Sequence, residues 1–380
     1  MEITLVVVTS VTRDLVMKTL EGVRDPELGG NVVELGMITG VEIDDATVNI
    51  GLALTIAECP LRSQIEGDTR RRVEAMSGVE VVNIRTTAMT KRQRAELMSV
   101  ARRNVRENAE PTQVSSTTRV IAIASGKGGV GKSSLSVNLA AGLAAEGFEV
   151  GLLDADIWGF SIPRMVGAEG KLEADATTML IQPVTAPSGV KVVSTGLIVE
   201  TEETALMWRG LMLSKALEQF LQQVAWGDLD YLIVDMPPGT GDVQMALTRM
   251  LPQAEMIVVT TPQAAAQRVA IRVADMARRS HMPVVGVIEN MSGQVFGSGG
   301  GLELADELGV SLLGSIPLDQ AVVRGGDEGR PVILDPESGS AAEALARTVE
   351  KVMAVVPPAD METCTGRIAK LIADLEDGAA

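Results

Sequence analysis

The chain has 380 residues, with 33 Lys and Arg against 50 Asp and Glu, so its formal net charge is -17. This acidity argues against a general nucleic-acid binder and against docking on anionic lipid, because both partners are themselves negatively charged. The 2 cysteines and 1 histidine exclude a disulfide framework and a His-rich zinc site. At about 150 residues per domain, the length predicts two domains, or one large and one small.

We expect neither a secretory signal nor a membrane span in this sequence. The apolar run at residues 5–8 is too short for a secretory signal and has no basic segment before it. No stretch approaches the roughly 18 consecutive apolar residues that a membrane span requires. Together with the low cysteine content, these features predict a soluble, cytoplasmic protein that binds neither nucleic acid nor membrane.

The first part of the chain has a compact, mixed pattern that predicts a small α+β domain over residues 11–90. A helix is expected at its start and a turn at residues 25–30. Alternating apolar residues predict three strands, with a helix between the last two; the strands are expected at 41–43, 47–54 and 79–85, and the helix at 60–76.

The rest of the chain divides into a linker, a large domain and a tail. Residues 91–118 read as a linker that carries a charged helix over 92–106. Over 119–357, apolar strands alternate with helices, which predicts an α/β domain with a doubly wound, mostly parallel sheet. A helical tail is expected at 358–380. The large domain's strands are predicted at 120–124, 150–153, 192–194, 231–234, 256–260, 284–288 and 312–316.

A phosphate-binding loop follows the first strand of the large domain and precedes a helical pattern. It satisfies the spacing G-x-x-x-x-G-K-[ST] in the strand-loop-helix context that the motif requires. Its glycines let backbone N–H groups surround phosphate oxygens, Lys132 would reach the β- and γ-phosphates of ATP, and the Ser133 hydroxyl would bind Mg²⁺. The loop consists of Gly126, Lys127, Gly128, Gly129, Val130, Gly131, Lys132 and Ser133.

The second lysine of this loop is unusual. With Lys127, the loop resembles the deviant Walker A loop of the MinD, ParA and nitrogenase-iron-protein class of ATPases. In that class the equivalent lysine reaches across a sandwich dimer to the partner's nucleotide, so the resemblance implies a homodimer. Alternatively, Lys127 only solvates the loop.

Acidic residues end two further strands. Asp235 closes a Walker B-like strand and would hold Mg²⁺ through water, and Gly239 in the following switch loop would present its N–H to the γ-phosphate. The resemblance implies that Asp154 supports the Mg²⁺ shell and that Asp156 orients the attacking water. These acids at strand ends could instead be helix caps.

Several segments closely resemble the Mrp/ApbC family of iron-sulfur cluster carrier P-loop ATPases. They include the phosphate loop, residues 154–164, 208–210, 230–242 and 289–292, and the glycine-rich run at 296–301. The resemblance implies an ATPase that works with iron-sulfur assembly proteins and client apoproteins. It also implies that Asn290 and the segment 316–319, which contains Pro317, flank the adenine base.

The N-terminal segment resembles the PaaD-like domain that often precedes this ATPase in bacteria, through residues 25–27 and 54–61. Cys59 directly precedes Pro60, a residue suited to a first helical turn. A helix N-terminus stabilises a thiolate, so Cys59 is a candidate reactive or metal-binding thiol. The alternative is a buried, inert cysteine.

One departure from the family pattern concerns the cluster itself. Most family members carry a Cys-x-x-Cys pair after the Asn-Met-Ser segment, whereas this chain has only Gly293-Gln294-Val295 there. A cluster needs about four thiolates, and one protomer offers at most two, Cys59 and Cys364. We therefore expect the ATPase domain to bind little or no cluster.

Two kinds of function fit the sequence. The first is an ATP-hydrolysing, homodimeric iron-sulfur cluster carrier or assembly factor that transfers clusters to apoproteins. The second is a MinD/ParA-like positioning ATPase, or a nucleotide-switched scaffold, that carries no cluster. The positioning role needs a basic surface or tail, which the acidic composition disfavours.

Overall fold

The computed structural model describes residues 11–25, 30–55, 62–90, 92–94, 96–97, 100, 110–157, 159–198, 210–239, 241–335, 337 and 339–358. The chain divides into two units, Met1–Asn108 and Ala109–Ala380. None of the helices in the described part of the chain is long and apolar enough to cross a membrane.

The first unit is a small α+β domain. Its elements are α1 (Arg13–Leu20), β1 (Ile38–Asp44), β2 (Thr47–Leu54), α2 (Arg62–Glu74) and β3 (Val81–Ala88). The sheet order is β1-β2-β3; β1 pairs antiparallel with β2, while α2 connects β2 to a parallel β3. Alternate residues of β2, such as Val48, Ile50 and Leu52, are buried and pack with both helices into one core.

The second unit is an α/β domain whose central sheet has eight strands. They are β4 (Arg119–Ser125), β5 (Val150–Asp154), β8 (Val184–Thr185), β9 (Lys191–Val193), β10 (Tyr231–Asp235), β11 (Glu255–Thr260), β12 (Val284–Ser292) and β13 (Ser311–Pro317). The spatial order is β13-β12-β11-β4-β10-β5-β9-β8, and all pairs are parallel except β8 with β9. A separate antiparallel pair consists of β6 (Glu173–Ala174) and β7 (Ile181–Gln182).

Helices pack against this sheet, and hydrophobic side chains of the strands and helices form two clusters of buried residues. Because the central strands are buried on both faces, their sequences are nearly continuous apolar runs. The described helices are α3 (Lys132–Ala145), α4 (Ile162–Val166), α5 (Gly210–Gln223), α6 (Gly241–Met250), α7 (Ala264–Arg279), α8 (Gly300–Leu308), α9 (Gln320–Asp327) and α10 (Ser340–Val355), with 3₁₀ turns at Thr195–Leu197 and Val332–Leu334.

The predicted fold class is confirmed, and the seven strands predicted for the large domain are all present within a few residues of their expected ends. In the small domain, the last strand is Val81–Ala88 rather than 79–85, and the helix is Arg62–Glu74 rather than 60–76. The predicted helix over 92–106 and the tail at 358–380 fall largely outside the described residues.

The linker predicted over 91–118 is wrong for its last part, because residues 110–118 pack onto the second unit. The Gln113 N–H donates to the Leu221 carbonyl at 2.8 Å, and the Thr118 hydroxyl donates to the Leu229 carbonyl at 2.9 Å. Val114 is buried in the core of this unit. A single apolar residue has no periodicity, so the sequence pattern did not reveal this packing.

Candidate nucleotide-binding site

Glycines shape the loop between β4 and α3. Gly129 and Gly131 have φ angles of 79° and 80°, in the left-handed region that glycine adopts without steric cost. A Cβ atom at Gly126 would lie 2.5 Å from the carbonyl carbon of Val269, so this end of the loop rests directly on the backbone of α7. Gly131 is the N-cap of α3, and the unpaired N–H groups of the first helical turn therefore belong to this loop.

The loop lines a cavity of about 230 Å³ at the carboxyl ends of the strands, where doubly wound sheets bind ligands. Lys127 is exposed at this cavity. The predicted residue Asp156 lies on the wall together with most of the phosphate loop. The lining consists of Ser125, Lys127, Gly128, Gly129, Val130, Gly131, Lys132, Ser133, Ser134, Asp156, Ser161, Met165 and Pro238.

Three side chains of α3 converge on the buried carboxylate of Asp235. The Lys132 Nζ atom lies 2.7 Å from Asp235 Oδ2, and the Ser133 hydroxyl donates to the same oxygen at 2.7 Å. The Ser136 hydroxyl donates to Asp235 Oδ1 at 2.6 Å. A carboxylate removed from water needs such partners, so these contacts fix the orientation of Asp235.

A second buried carboxylate lies beside the first. Asp154 and Asp235 are paired residues on the parallel strands β5 and β10. Burial, reinforced by the charge of Asp235, raises the pKa of Asp154 to about 8, although a hydrogen bond from the Ser194 hydroxyl at 2.9 Å opposes this shift. The Asp156 N–H donates to Asp154 Oδ1 at 3.2 Å, and partial burial raises the pKa of Asp156.

The donor set fits Mg²⁺. A hydroxyl, Ser133, and two neighbouring carboxylates, Asp154 and Asp235, are oxygen ligands of the kind that this hard cation prefers. A divalent cation would also relieve the repulsion between the two acids. No group of three or more His, Cys, Asp or Glu residues suited to a metal occurs among the described residues. Mg²⁺ is commonly held by one or two carboxylates together with substrate phosphates and water, and Asp154 and Asp235 are two such carboxylates.

The switch loop departs from its predicted geometry. The N–H of Gly239, expected to face the γ-phosphate, donates to the Ser125 carbonyl at 3.3 Å. Gly239 has a φ angle of 70°, and the next residue lies outside the described part of the chain. The glycine therefore connects the switch loop to the end of β4.

A second, mainly apolar cavity of about 180 Å³ adjoins the phosphate loop. The Asn290 side chain donates from Nδ2 to the Val130 carbonyl at 2.9 Å, which ties β12 to the phosphate loop. Asn290 and Pro317, the two residues expected beside adenine, both line this cavity. Its lining is Gly131, Ser134, Met165, Asn290, Met291, Pro317, Leu318, Asp319, Val322, Val323, Gly326 and Asp327.

Sequence reasoning missed several residues of the site, among them Ser136, Ser194 and Met165. Ser136 lies four residues after Lys132, one helical turn along α3, so its place beside the phosphate loop was open to prediction from spacing. Ser194 and Met165 reach the site from distant segments, and nothing in the sequence links them to it. Cys59 and Cys364 lie outside the described residues.

The segment in which the resemblance would place a Cys-x-x-Cys pair forms a closed turn. Gly293 and Gly297 exchange two backbone hydrogen bonds, of 2.8 Å and 2.7 Å. Only Gln294, Val295 and Phe296 lie between them, and Val295 is exposed. The turn therefore contains no thiolate and does not fit an iron-sulfur cluster.

Comparison with known families identifies the chain. A family model described as NUBPL iron-transfer P-loop NTPase matches residues 116–353. The chain belongs to this family. A second model, described as iron-sulfur cluster assembly protein, matches residues 13–86.

Relatives of the chain carry names that agree with this family. A protein of Mycobacterium leprae named iron-sulfur cluster carrier protein is 42% identical, with 89% of this chain and 92% of the relative covered. A Bacillus subtilis protein of the same name is 39% identical, with 82% and 89% covered. A solved nucleotide-binding protein of Archaeoglobus fulgidus, in complex with ADP, is 32% identical over 62% of this chain and 95% of that chain, with a TM-score of 0.49.

Proposed function

We propose that the chain is an ATP-hydrolysing, homodimeric iron-sulfur cluster carrier or assembly factor that transfers clusters to client apoproteins. The observation that carries the nucleotide chemistry is the convergence of Lys132, Ser133 and Ser136 on buried Asp235 beside a glycine-shaped loop. The names of the relatives support the cargo and favour this function over a positioning ATPase.

Catalysis in this site is mostly positioning and charge stabilisation. The ammonium of Lys132 binds the β- and γ-phosphates of ATP together with the N–H groups of the loop. Ser133 and Asp235 would hold Mg²⁺, with Asp154 behind them, and the bound ion would neutralise developing charge on the phosphates. Asp156 lies on the wall of the same cavity and orients the attacking water.

The proposal of a homodimer depends on Lys127. Its side chain is exposed at the rim of the phosphate cavity, where it is free to reach a nucleotide bound by a second copy. A lysine supplied by the partner makes hydrolysis depend on dimer closure. ATP would then control when the two copies, and any cluster that they carry, come together.

The turn at 293–297 contains no cysteine, so a cluster must be bound by thiols elsewhere in the chain. Cys59 in the N-terminal domain is the candidate ligand. Two copies would offer two Cys59 thiolates, and the remaining ligands of a cluster would come from a client, an assembly partner or a small thiol.

The test is phosphate release by the purified full-length protein with ATP and Mg²⁺. We expect Lys132→Ala to lower kcat by about 100-fold or more, the scale of losing one preorganised charge in an active site. The matched control is Lys171→Ala, because Lys171 is an exposed lysine in the same unit, between α4 and β6. Full activity of the Lys132→Ala variant would refute the assignment of this site.

A further inference from the structure

Three consecutive residues at the end of β9 contact the loop that carries Asp156. They are Ser194, Thr195 and Gly196, called here the 194–196 clamp. The first two are buried, and the segment begins the 3₁₀ turn Thr195–Leu197. The nucleotide chemistry above assigns no role to any of them.

Ser194 holds the strand end from which the loop leaves. Its hydroxyl donates to Asp154 Oδ2 at 2.9 Å and accepts the Gly196 N–H at 3.1 Å. The other oxygen of Asp154 accepts the Asp156 N–H at 3.2 Å. Ser194 therefore fixes the Asp154 carboxylate, and that carboxylate in turn fixes the backbone of Asp156.

The other two clamp residues contact the loop further along. The Thr195 hydroxyl donates to the Ile157 carbonyl at 3.3 Å. At Gly196, a Cβ atom would lie 2.7 Å from a ring carbon of Phe160 and 3.3 Å from Pro163, so the aromatic ring rests directly on the glycine. The clamp thus contacts the chain on both sides of Asp156: Ser194 contacts Asp154 before it, and the other two clamp residues contact positions after it.

Holding Asp156 matters because its own loop constrains it only locally. Its carboxylate accepts the Gly159 N–H at 3.3 Å, and the Gly159 N–H also donates to the Asp156 carbonyl at 3.1 Å. Those bonds close a short turn, but they do not fix the turn relative to the phosphate loop. The clamp supplies that connection, because β9 pairs with β5 in the sheet that also positions Asp235.

We propose that the 194–196 clamp positions Asp156 for hydrolysis, so that Ser194 and Gly196 are positioning residues that act through the loop after β5. This inference rests on the proposed ATP hydrolysis. If it is correct, the clamp affects the rate of the chemical step, while nucleotide affinity depends on the phosphate loop. Displacing a water-orienting group by about 1 Å is enough to slow an in-line reaction strongly.

The experiment compares steady-state ATP hydrolysis and binding of a non-hydrolysable ATP analogue by the full-length protein and its variants. Ser194→Ala removes the hydrogen bond to Asp154, and Gly196→Ala pushes the Phe160 ring without touching Asp154. We expect each variant to lower kcat by about tenfold, Ser194→Ala because a buried hydrogen bond to the Asp154 carboxyl group is lost and Gly196→Ala because the loop that carries Asp156 is displaced. The KM for ATP and the analogue's affinity stay within about twofold of the wild-type values.

The matched control is Ser188→Ala, the same change six residues before Ser194. The Ser188 hydroxyl has no hydrogen-bond partner in the described part of the chain, so kcat should not change. A second control repeats Ser194→Ala in an Asp156→Asn background under single-turnover conditions. Because the serine acts through Asp156, its removal should then have no further effect on the residual rate.

The inference would be overturned by a kcat within twofold of the wild-type value in both clamp variants. It would also be overturned if the affinity for the ATP analogue fell by as much as kcat, or if Ser194→Ala lowered the rate as strongly in the Asp156→Asn background as in the wild type. Loss of cooperative unfolding in both variants would also overturn it, by making the clamp a folding determinant. Wild-type hydrolysis that depends on Lys132, combined with any of these results, would leave the proposed function intact. Absence of wild-type hydrolysis would refute both.

Discussion

Substituting Gly126 by alanine tests whether direct contact with α7 shapes the phosphate loop. The added methyl carbon would lie 2.5 Å from the carbonyl carbon of Val269 and 2.7 Å from the amide nitrogen of Ala270. These are backbone atoms of a helix, so the clash cannot be relieved by a side-chain rotation. Either the loop or the helix must move.

The expected cost follows from two opposing effects. Overpacking a well-packed site destabilises a protein by about 1–3 kcal/mol. Replacing glycine by alanine also restricts the unfolded chain, which stabilises the folded state by about 0.4–1 kcal/mol. We therefore expect Gly126→Ala to lower the free energy of unfolding of the second unit by about 1–2 kcal/mol.

Gly128 provides the matched control within the same loop. A Cβ atom there would meet no described atom within 4 Å, and Gly128 does not have a positive φ angle. Gly128→Ala has only the effect on the unfolded chain, so stability should stay unchanged or rise by up to about 1 kcal/mol. Of the two alanine variants, only Gly126→Ala should thus lower the stability of the second unit.

Urea unfolding followed by tryptophan fluorescence measures this difference. The chain has 3 tryptophans, Trp158, Trp208 and Trp226, and all lie within the second unit, so the signal reports that unit. We expect Gly126→Ala to lower the urea midpoint by about 0.5 M. An unchanged midpoint for Gly126→Ala, or an equal loss in Gly128→Ala, would refute the contact as the reason for glycine at position 126.

Two further predictions concern acid chemistry and cargo. Because the folded-state pKa of Asp154 is raised to about 8 from the ordinary 3.8, the nucleotide-free folded state binds this proton more tightly than the unfolded chain does. The free energy of unfolding should therefore fall as pH rises from about 4 to about 8. The Asp154→Asn variant lacks this contribution, so its urea midpoint should change less with pH. Midpoints of the two proteins that run parallel across this range would contradict the raised pKa. Anaerobic reconstitution with iron and sulfide should give cluster absorption that Cys59→Ser abolishes and Cys364→Ser leaves largely intact, and a stoichiometric cluster that survives the loss of Cys59 would refute this assignment.

Much of the fold could be predicted because the central strands are buried on both faces. The run at β4, Arg119–Ser125, is nearly all apolar, and a glycine loop and a helix follow it. Such a segment has few alternatives to a buried parallel strand. By contrast, the two-residue strands β6, β7 and β8 are too short to show any periodicity, so they were not predicted.

The site was predictable where a motif fixed both residue type and spacing. Lys132 and Ser133 belong to such a motif, and the structure brings them to Asp235 as a Walker-type arrangement requires. Ser194 was not predictable, because a serine at a strand end has no local feature that distinguishes it from a turn residue. Its role depends on a hydrogen bond to a residue 40 positions away, which only the folded sheet creates.

In the proposed function, ATP at this phosphate loop drives delivery of a cluster. The most direct measurement is the rate at which reconstituted full-length protein transfers its cluster to an apoprotein with thiolate ligands, with and without ATP and Mg²⁺. We expect nucleotide to change this rate by about tenfold or more in the wild type and in Lys171→Ala, and to leave the rate of Lys132→Ala unchanged. Equal transfer rates with and without nucleotide in the wild type would contradict this expectation.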